Sequence, residues 1–327
     1  MAFLIGYAVA YTPAVRQPWP SLGVTESLSQ AALQVVIFAH LVLVFFRSHG
    51  NKNIFWTYPY RFTVVPVLLF LGCWLSSPIL VCTSVLATWW DVYHSSLQTF
   101  GLGRIYDARV GNDALAGRRL DYFFNLLLYA GPILGGAALM DHLVDFEEFR
   151  QPEVGWNLFA DIPVWVAPRA TYLTHGVVLI AVPFFSYYFW SYWKLYKSGY
   201  TISPQKLTLY TVTGLVSLAA WGFNSFGQAF LIMNFFHALQ YFAIVWWSEN
   251  KNLSQRFGVA TLKLGKPITF VLVFGSSTLF AVWSYHAPQS RSALLALTLV
   301  VSIMHFWYDG FIWSVRKKQV PSQDVTA

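Results

Sequence analysis

Four histidines within long apolar stretches are the residues of this sequence with the clearest chemical potential. They are His40, His94, His237 and His305. Isolated imidazoles in apolar surroundings would be costly, whereas a metal ion held by neutral ring nitrogens removes that cost. Imidazole is a suitable ligand for iron, copper, zinc and nickel. The four residues together predict a metal site, and a core imidazole bonded to a helix carbonyl is the alternative for each one alone.

Carboxylate and amide side chains lie about one helical turn from three of these histidines: Asp91 and Gln98 around His94, Gln240 after His237, and Asp309 after His305. Residues three or four apart share a helix face, so these groups can reach the neighbouring imidazoles. We expect Gln98, Gln240 and Asp91 to orient the ligand rings through hydrogen bonds. Asp309 is either a fifth ligand or another orienting group, and Asp91 and Asp309 are the candidate catalytic acids.

Five aromatic residues beside these polar groups are candidates for a substrate pocket: Trp89, Trp90, Tyr241, Trp307 and Tyr308. Aromatic residues make up 19% of the chain, and many others lie near the ends of apolar stretches. Amphipathic rings at such ends favour a lipid headgroup region. The five near the histidines suit a flat or polyene-like ligand, with interfacial anchoring as the alternative interpretation.

Membrane helices are the elements that must position these residues. The chain has 327 residues, of which 56% are hydrophobic and 11% charged, and its mean hydropathy is +0.49. These values exclude an ordinary soluble globular protein. Apolar runs of about 20 residues recur, each long enough to cross a hydrocarbon core of about 30 Å as an α-helix. The composition therefore predicts an all-α, polytopic integral membrane helical bundle.

Hydropathy predicts nine transmembrane helices in a single membrane-embedded domain. The spans are 28–46, 62–80, 81–103, 121–140, 171–193, 207–224, 227–247, 267–285 and 292–314. Residues 1–27 are expected to lie outside or at the interface, with Met1–Val15 either interfacial or re-entrant. Residues 315–327 are expected to form a cytoplasmic tail.

The charges in the loops predict an orientation. Lys and Arg residues follow spans one, three, five, seven and nine, whereas the loop after span four is acidic. Because positively charged loops stay in the cytoplasm, the N-terminus is predicted outside and the C-terminus inside, in a bacterial inner membrane. The net charge of +7 is thereby explained as a topology signal, and no nucleic-acid partner is expected.

This orientation places the four histidines in one layer of the membrane. They lie on spans one, three, seven and nine, which all run from outside to inside. Counted along each helix from the first basic residue that follows, their depth is roughly 10 to 21 Å. Ordinary helix tilt can absorb such a spread. We therefore expect the rings to converge on one point in the inner half of the membrane.

The other motifs are more typical of structure than of chemistry. The sequence contains no glycine-rich phosphate loop, nucleophile elbow or HExxH motif, and Cys73 and Cys82 lie in apolar sequence, as small core residues do. Charged residues also gather at the predicted cytoplasmic surface: Asp107, Arg109, Arg118, Arg119 and Asp121. We expect a solvated ion-pair cluster there, or a contact with anionic lipid.

Short segments around the four histidines resemble the Brp/Blh β-carotene 15,15′-dioxygenase family in architecture. They are His40 in the first full span, His94 in WWDVYHSSLQTFG, His237 in NFFHALQY and His305 in HFWYDG. The resemblance implies a non-haem iron held by histidines and the cleavage of a carotenoid with dioxygen. The sequence departs from that family in having no HxxxH pair on one helix, and His305–Asp309 has the equivalent spacing.

The leading functional hypothesis is a membrane-embedded, non-haem iron oxygenase or oxidase that acts on a lipophilic substrate entering from the bilayer, such as a carotenoid or another lipid. Another transition metal is the alternative to iron. A proton- or ion-coupled transporter with a His/Asp relay is a second hypothesis. The nearly charge-free even-numbered spans favour an enzyme pocket over such a conduit. A haem- or chlorin-binding assembly factor is a third hypothesis, and the sequence leaves the oligomeric state open.

Overall fold

The structure, a computed structural model, consists mainly of α-helices in the part of the chain that it describes. It describes residues 18–19, 24–136, 139–144, 161–224, 226–286 and 292–313. The predicted interfacial segment Met1–Val15 and the predicted tail 315–327 lie outside the described residues. The predicted all-helical class is confirmed for the part of the chain that the structure describes.

Twelve α-helices follow one short antiparallel ladder among the described residues. The ladder joins β1 (Pro18–Trp19) to β2 (Val24–Ser27), with Pro18 opposite Ser27. The first six helices are α1 (Leu28–Ser48), α2 (Lys52–Thr57), α3 (Pro59–Leu75), α4 (Ser77–Arg109), α5 (Arg118–Leu134) and α6 (Leu139–Val144). The others are α7 (Ile162–Val166), which a 3₁₀ turn at Ala167–Arg169 continues into α8 (Ala170–Lys197), α9 (Pro204–Phe223), α10 (Phe226–Arg256), α11 (Gly265–His286) and α12 (Ser292–Ile312).

The boundary between α3 and α4 differs from the predicted one. The sequence placed a division between residues 80 and 81, whereas the chain leaves the helix at Ser76, whose φ of −137° and ψ of 109° are extended. The axes of α3 and α4 are bent by 119° at this break. Pro78 is the physical reason, because proline has no backbone N–H and is tolerated only in the first turn of a helix.

Within the described ranges, four helices are long and apolar enough to cross a membrane: Ile162–Lys197, Ala229–Arg256, Gly265–Tyr285 and Ala293–Ile312. The bent pair of α3 and α4 would make a fifth span. In Ile162–Lys197 only 6% of the most apolar window is buried within the protein, so side chains such as Leu179 and Ile180 point outward. An apolar surface of this extent is typical of a membrane protein, because lipid covers it.

The helices form two compact units. The first consists of Met1–Ala87 and Leu231–Ile312, and it holds α1 to α3, most of α10, α11 and α12. Helices α11 and α12 both pack against α1, and α12 also packs against α3. Leu43, Ala281 and Ala296 are completely buried in this unit. Small side chains such as alanine allow membrane helices to approach closely.

The second unit consists of Thr88–Phe230 and Trp313–Ala327. Its helix α5 packs against both α8 and α9. Phe124, Tyr188 and Tyr210 form a buried aromatic cluster among these three helices, and the rings of Phe124 and Tyr188 stack with centroids 4.1 Å apart. Offset aromatic stacking adds to the energy of burial, so this cluster stabilises the arrangement of the three helices.

Candidate metal centre

Three of the four predicted ligand histidines lie together inside the first unit. His40 comes from α1, His237 from α10 and His305 from α12, and each is at most 1% exposed. The His40 ring centroid lies 5.2 Å from that of His237 and 5.0 Å from that of His305. One ligand nitrogen from each ring can be chosen so that all three lie within 4.8 Å of one another. A histidine cluster is therefore present in this unit.

The ring nitrogens of this cluster have the character of metal ligands. Neither nitrogen of His40 makes a hydrogen bond of standard geometry with any described residue, although both are buried. The Nδ1 of His305 lies 3.2 Å from the carbonyl oxygen of Leu41. Since a carbonyl can only accept, this nitrogen carries the proton and Nε2 carries the lone pair. Neutral imidazole nitrogens are common ligands of transition metals.

Asp309 lies beside the cluster and is held by Tyr241. The hydroxyl of Tyr241 donates to Asp309 Oδ1 at 2.8 Å, and Asp309 Oδ2 is 3.8 Å from His305 Nε2. The Tyr241 ring also packs against the imidazoles, with its centroid 4.6 Å from His305 and 6.2 Å from His40. Asp309 is therefore oriented toward His305, where the sequence expected it. Tyr241, one of the predicted pocket residues, also lies beside these histidines, as the sequence predicted.

Trp307 and Tyr308 instead pack toward α3. The hydroxyl of Tyr308 donates to the carbonyl oxygen of Arg61 at 3.1 Å, and its ring lies 4.7 Å from that of Phe62. Trp307 packs against Phe311, with centroids 5.6 Å apart. Trp307 and Tyr308 therefore belong to an aromatic cluster between α12 and α3. Their predicted role in a substrate pocket stays a prediction.

A buried ion pair joins the three helices that carry the histidine cluster. The guanidinium of Arg47 on α1 donates to Glu249 and Ser248 on α10, and to the carbonyl oxygen of Ile312 at the end of α12 at 2.9 and 3.2 Å. Arg47 and Glu249 are each 1% exposed. Glu249 also accepts from Asn252 at 3.0 Å. The pair therefore holds the ends of α1, α10 and α12 in register.

The sequence analysis counted Arg47 among the basic residues that follow span one and overlooked this pair. A basic residue after span one fits the positive-inside pattern. The charge of Arg47 therefore did not indicate that its side chain is buried. The available signal was Glu249, an acid that follows a long apolar stretch in an otherwise basic segment. A carboxylate at such a position calls for a cationic partner nearby.

The remaining predicted site residues are divided between the two units. Gln240 is half-buried on α10, one turn beyond His237. In the second unit, α4 carries His94, which is 2% exposed. The other predicted residues on α4 are half-buried: Trp89, Trp90, Asp91 and Gln98. A role for His94 as a metal ligand stays a prediction.

The predicted solvated ion-pair cluster is in fact a buried network inside the second unit. Arg104 lies 2.6 Å from Asp107 and 2.8 Å from Asp121, and Lys206 lies 2.7 Å from both carboxylates. All four side chains are at most 7% exposed. The sequence prediction did not name Arg104 and Lys206, the cations that bind these two carboxylates. Two cations against two carboxylates make the network neutral, which lowers the cost of its burial.

Tyrosine hydroxyls complete this network. Tyr188 and Tyr192 donate to Asp121 at 3.0 and 2.6 Å, and Tyr200 donates to Asp107 at 2.6 Å. Burial, together with the hydrogen bond to Asp107, raises the pKa of Tyr200. Its phenol therefore stays protonated and continues to donate at neutral pH. The network therefore links α4, α5, α8 and α9 through hydrogen bonds and ion pairs.

The histidine cluster has the composition of a transition-metal site. Two ligands on opposite sides of a metal, with bonds of about 2.1 Å, stand about 4.2 Å apart. Three nitrogens within 4.8 Å of one another can therefore close around one ion through small side-chain movements. Histidines with a nearby carboxylate and open coordination positions suit non-haem iron, and zinc or copper can also bind imidazole sets. We compared the chain with protein-family models, curated proteins and solved structures, and none of them matches.

Proposed function

We propose that this chain is a membrane-embedded metalloenzyme that uses non-haem iron to oxidise a lipophilic substrate. The observation that carries the proposal is the convergence of His40, His237 and His305 from three helices, with ligand nitrogens within 4.8 Å. Three buried imidazoles at this spacing can share one transition-metal ion. Asp309 and the sequence-predicted ligand His94 are the further candidates for the coordination set.

The residues around the cluster orient its side chains and exclude bulk water from it. Tyr241 fixes the carboxylate of Asp309, and the carbonyl of Leu41 fixes the tautomer of His305. Such hydrogen bonds hold ligands in place before a metal binds. Full burial of the three rings keeps bulk water away from the reacting groups. When bound, iron would supply the capacity to activate dioxygen.

The substrate is proposed to be a hydrophobic molecule that arrives through the bilayer. The chain has several apolar helices of spanning length, so a site among them is reached from lipid more directly than from water. A carotenoid or another polyene has the required chemistry, as the family resemblance implies. Membrane burial would also separate oxidising chemistry from the aqueous phase.

The finer topology belongs to the same proposal: nine spans, an external N-terminus and a cytoplasmic C-terminus in a bacterial inner membrane. Helix ends that the sequence assigns to the cytoplasm lie together in each unit, which supports it. In the first unit, the C-terminal ends of α1 and α12 meet at Arg47. In the second, the end of α4, the start of α5 and the start of α9 meet around Asp121.

Metal analysis of the detergent-purified protein tests the proposed function. We expect about one iron per chain in the wild type and its loss in His40→Ala and His237→Ala. His175→Ala, which removes an exposed histidine on α8, is the matched control and should keep the metal. His237→Asn serves as a second variant if the alanine form does not fold.

Three outcomes of this experiment would contradict the proposal. A folded wild type that takes up no iron, zinc or copper after reconstitution with each would exclude a metal centre. A Soret absorbance band that depends on His40 and His237 would instead establish the haem-binding alternative. Equal metal content in the His175→Ala, His40→Ala and His237→Ala variants would show that bound metal is elsewhere.

A further inference from the structure

Helix α3 is fastened to its neighbours in the first unit through its first turn. The carbonyl oxygen of Arg61 accepts from the hydroxyl of Tyr308 on α12 at 3.1 Å. The next carbonyl oxygen, that of Phe62, lies 3.1 Å from Nε2 of His49, which directly follows α1. The Phe62 ring packs against the same two partners, with its centroid 4.7 Å from Tyr308 and 5.5 Å from His49. The start of α3 is thus held from both sides.

The contact with His49 stands in for a hydrogen bond that proline removes from α3. In an α-helix the Phe62 carbonyl would accept from the N–H of residue 66, and Pro66 has no N–H. Since a carbonyl can only accept, Nε2 of His49 carries a proton and donates it. The other ring nitrogen, Nδ1, lies 2.9 Å from Ser48 Oγ, which keeps the imidazole in this orientation.

Beyond its first turn, α3 makes few contacts that would hold it in place. Its buried residues are Phe62 and Cys73, whereas Val67 and Leu68 between them are exposed. Among the described residues, the other side-chain hydrogen bonds of α3 stay within the helix or reach α4, from Thr63 to Pro59 and from Cys73 to Thr83. Segments with so few buried contacts lie at the low end of local stability.

The far end of α3 has the form of a hinge. Ser76 is extended, and the helix axes on its two sides differ by 119°. Hinges are typically a few residues at the ends of elements that absorb changes in φ and ψ. Ser76 lies about 21 Å along the chain from Phe62. A rotation of about 15° at Ser76 would therefore move the first turn of α3 by roughly 5 Å.

We propose that α3 is a movable strap on the first unit, with Ser76 as its hinge and the His49–Phe62 hydrogen bond as its clasp. Opening separates α3 from the face of α12 that carries Tyr308, three residues after His305. A lipophilic molecule then has a path between α3 and α12 toward the histidine cluster, and closure excludes water behind it. This path rests on the proposed function, whereas the movement of α3 does not.

Pulsed electron–electron resonance between two spin labels tests the movement in the full chain in nanodiscs. The labels are attached to Tyr60→Cys at the start of α3 and Leu279→Cys on α11, both exposed positions, after Cys73 and Cys82 are replaced by alanine. We expect a minor second distance that differs by about 5 Å from the main one. His49→Phe keeps a ring but removes the donor, and it should raise this population at least about fivefold.

A label at Leu75 instead of Tyr60 locates the hinge. Leu75 is exposed and directly precedes Ser76, so a rotation at Ser76 scarcely moves it. The distance from Leu75 to Leu279 should therefore stay single in the wild type and in His49→Phe. A second distance of equal weight from this position would contradict a hinge at Ser76.

Two further variants separate the clasp from a general loosening of α3. Tyr308→Phe also removes a donor to α3, but the Arg61 carbonyl keeps the N–H of residue 65 as its helical donor. The second population should then change by less than about twofold. Pro66→Ala gives the Phe62 carbonyl a backbone donor, so His49→Phe should have little further effect in that background.

The proposal is overturned by one unchanged distance between Tyr60 and Leu279 in the wild type and in His49→Phe. Equal responses to His49→Phe and Tyr308→Phe would also overturn it, since the proline would then be irrelevant. His49→Leu takes the place of His49→Phe if the latter does not fold. The labels report on α3 without bound metal, so the result is independent of the metal analysis that tests the proposed function.

Discussion

Within the first unit, two neighbours of His305 limit what its ring can do. The carbonyl of Leu41 accepts from His305 Nδ1, so only Nε2 of that ring can act as a ligand. Asp309 lies 3.8 Å from that nitrogen, beyond hydrogen-bond range but near enough to join a bound cation. Tyr241 donates to Asp309 and thus decides how this carboxylate points. We regard Tyr241 as a positioning residue.

Replacement of Tyr241 by phenylalanine tests this role. The phenyl ring keeps the packing against His305 and His40, and the hydrogen bond to Asp309 is lost. We expect metal affinity to fall about 10- to 100-fold, as is typical when a group that orients a ligand is removed. Titration of Co²⁺ against a competing chelator, followed by the visible absorbance of the bound ion, measures the change.

Tyr308→Phe is the control for this prediction. It removes a hydroxyl that donates to the Arg61 carbonyl, so it costs one hydrogen bond without touching Asp309. Metal affinity should stay near the wild-type value in this variant. An equal loss of affinity in both variants would show that Tyr241 acts on stability alone.

At the level of the helices, the Arg47–Glu249 pair sets the alignment of α1, α10 and α12. Arg47 lies seven residues after His40, and Ile312 seven after His305, about 10 Å along each helix. Because the pair lies about two turns from these histidines, a shift of one helix against another would separate their rings. A buried pair of this kind contributes more to register than to net stability.

Single and double substitutions separate these two contributions. Arg47→Met or Glu249→Leu alone leaves a buried charge without its partner, and we expect each to destabilise the protein by about 3–5 kcal/mol. The double variant Arg47→Met/Glu249→Leu should be clearly more stable than either single variant. Thermal unfolding in detergent measures all three. If the double variant loses the sum of the two single effects, the residues do not act as a pair.

The helix elements themselves were largely predictable from hydropathy, because runs of about 20 apolar residues have few other stable forms in lipid. All nine predicted stretches contain helix. The sequence analysis misplaced the break at Ser76 because apolar sequence continues through it. Hydropathy alone does not show where the backbone turns. The proline at position 78 was the local signal for a new helix start.

For the whole molecule, the helix ends that gather at Arg47 and at Asp121 support an alternating topology in each unit. Fusion reporters test the orientation of the complete chain. We expect green fluorescent protein at the C-terminus to fluoresce and alkaline phosphatase at the same place to be inactive, because the tail is predicted to be cytoplasmic. Alkaline phosphatase inserted between residues 145 and 160 should be active, because this stretch is predicted to lie outside. The reverse pattern would contradict the orientation.

The sequence by itself determined the membrane class, the helical elements and the identity of the histidines, since these depend on hydropathy and residue type along one helix. Only the tertiary structure decided which side chains meet. It joined His40, His237 and His305, paired Arg47 with Glu249, and buried Asp107 and Asp121 against Arg104 and Lys206. The physical reason is that charge in a sequence predicts a side of the membrane, whereas burial depends on which helices pack together.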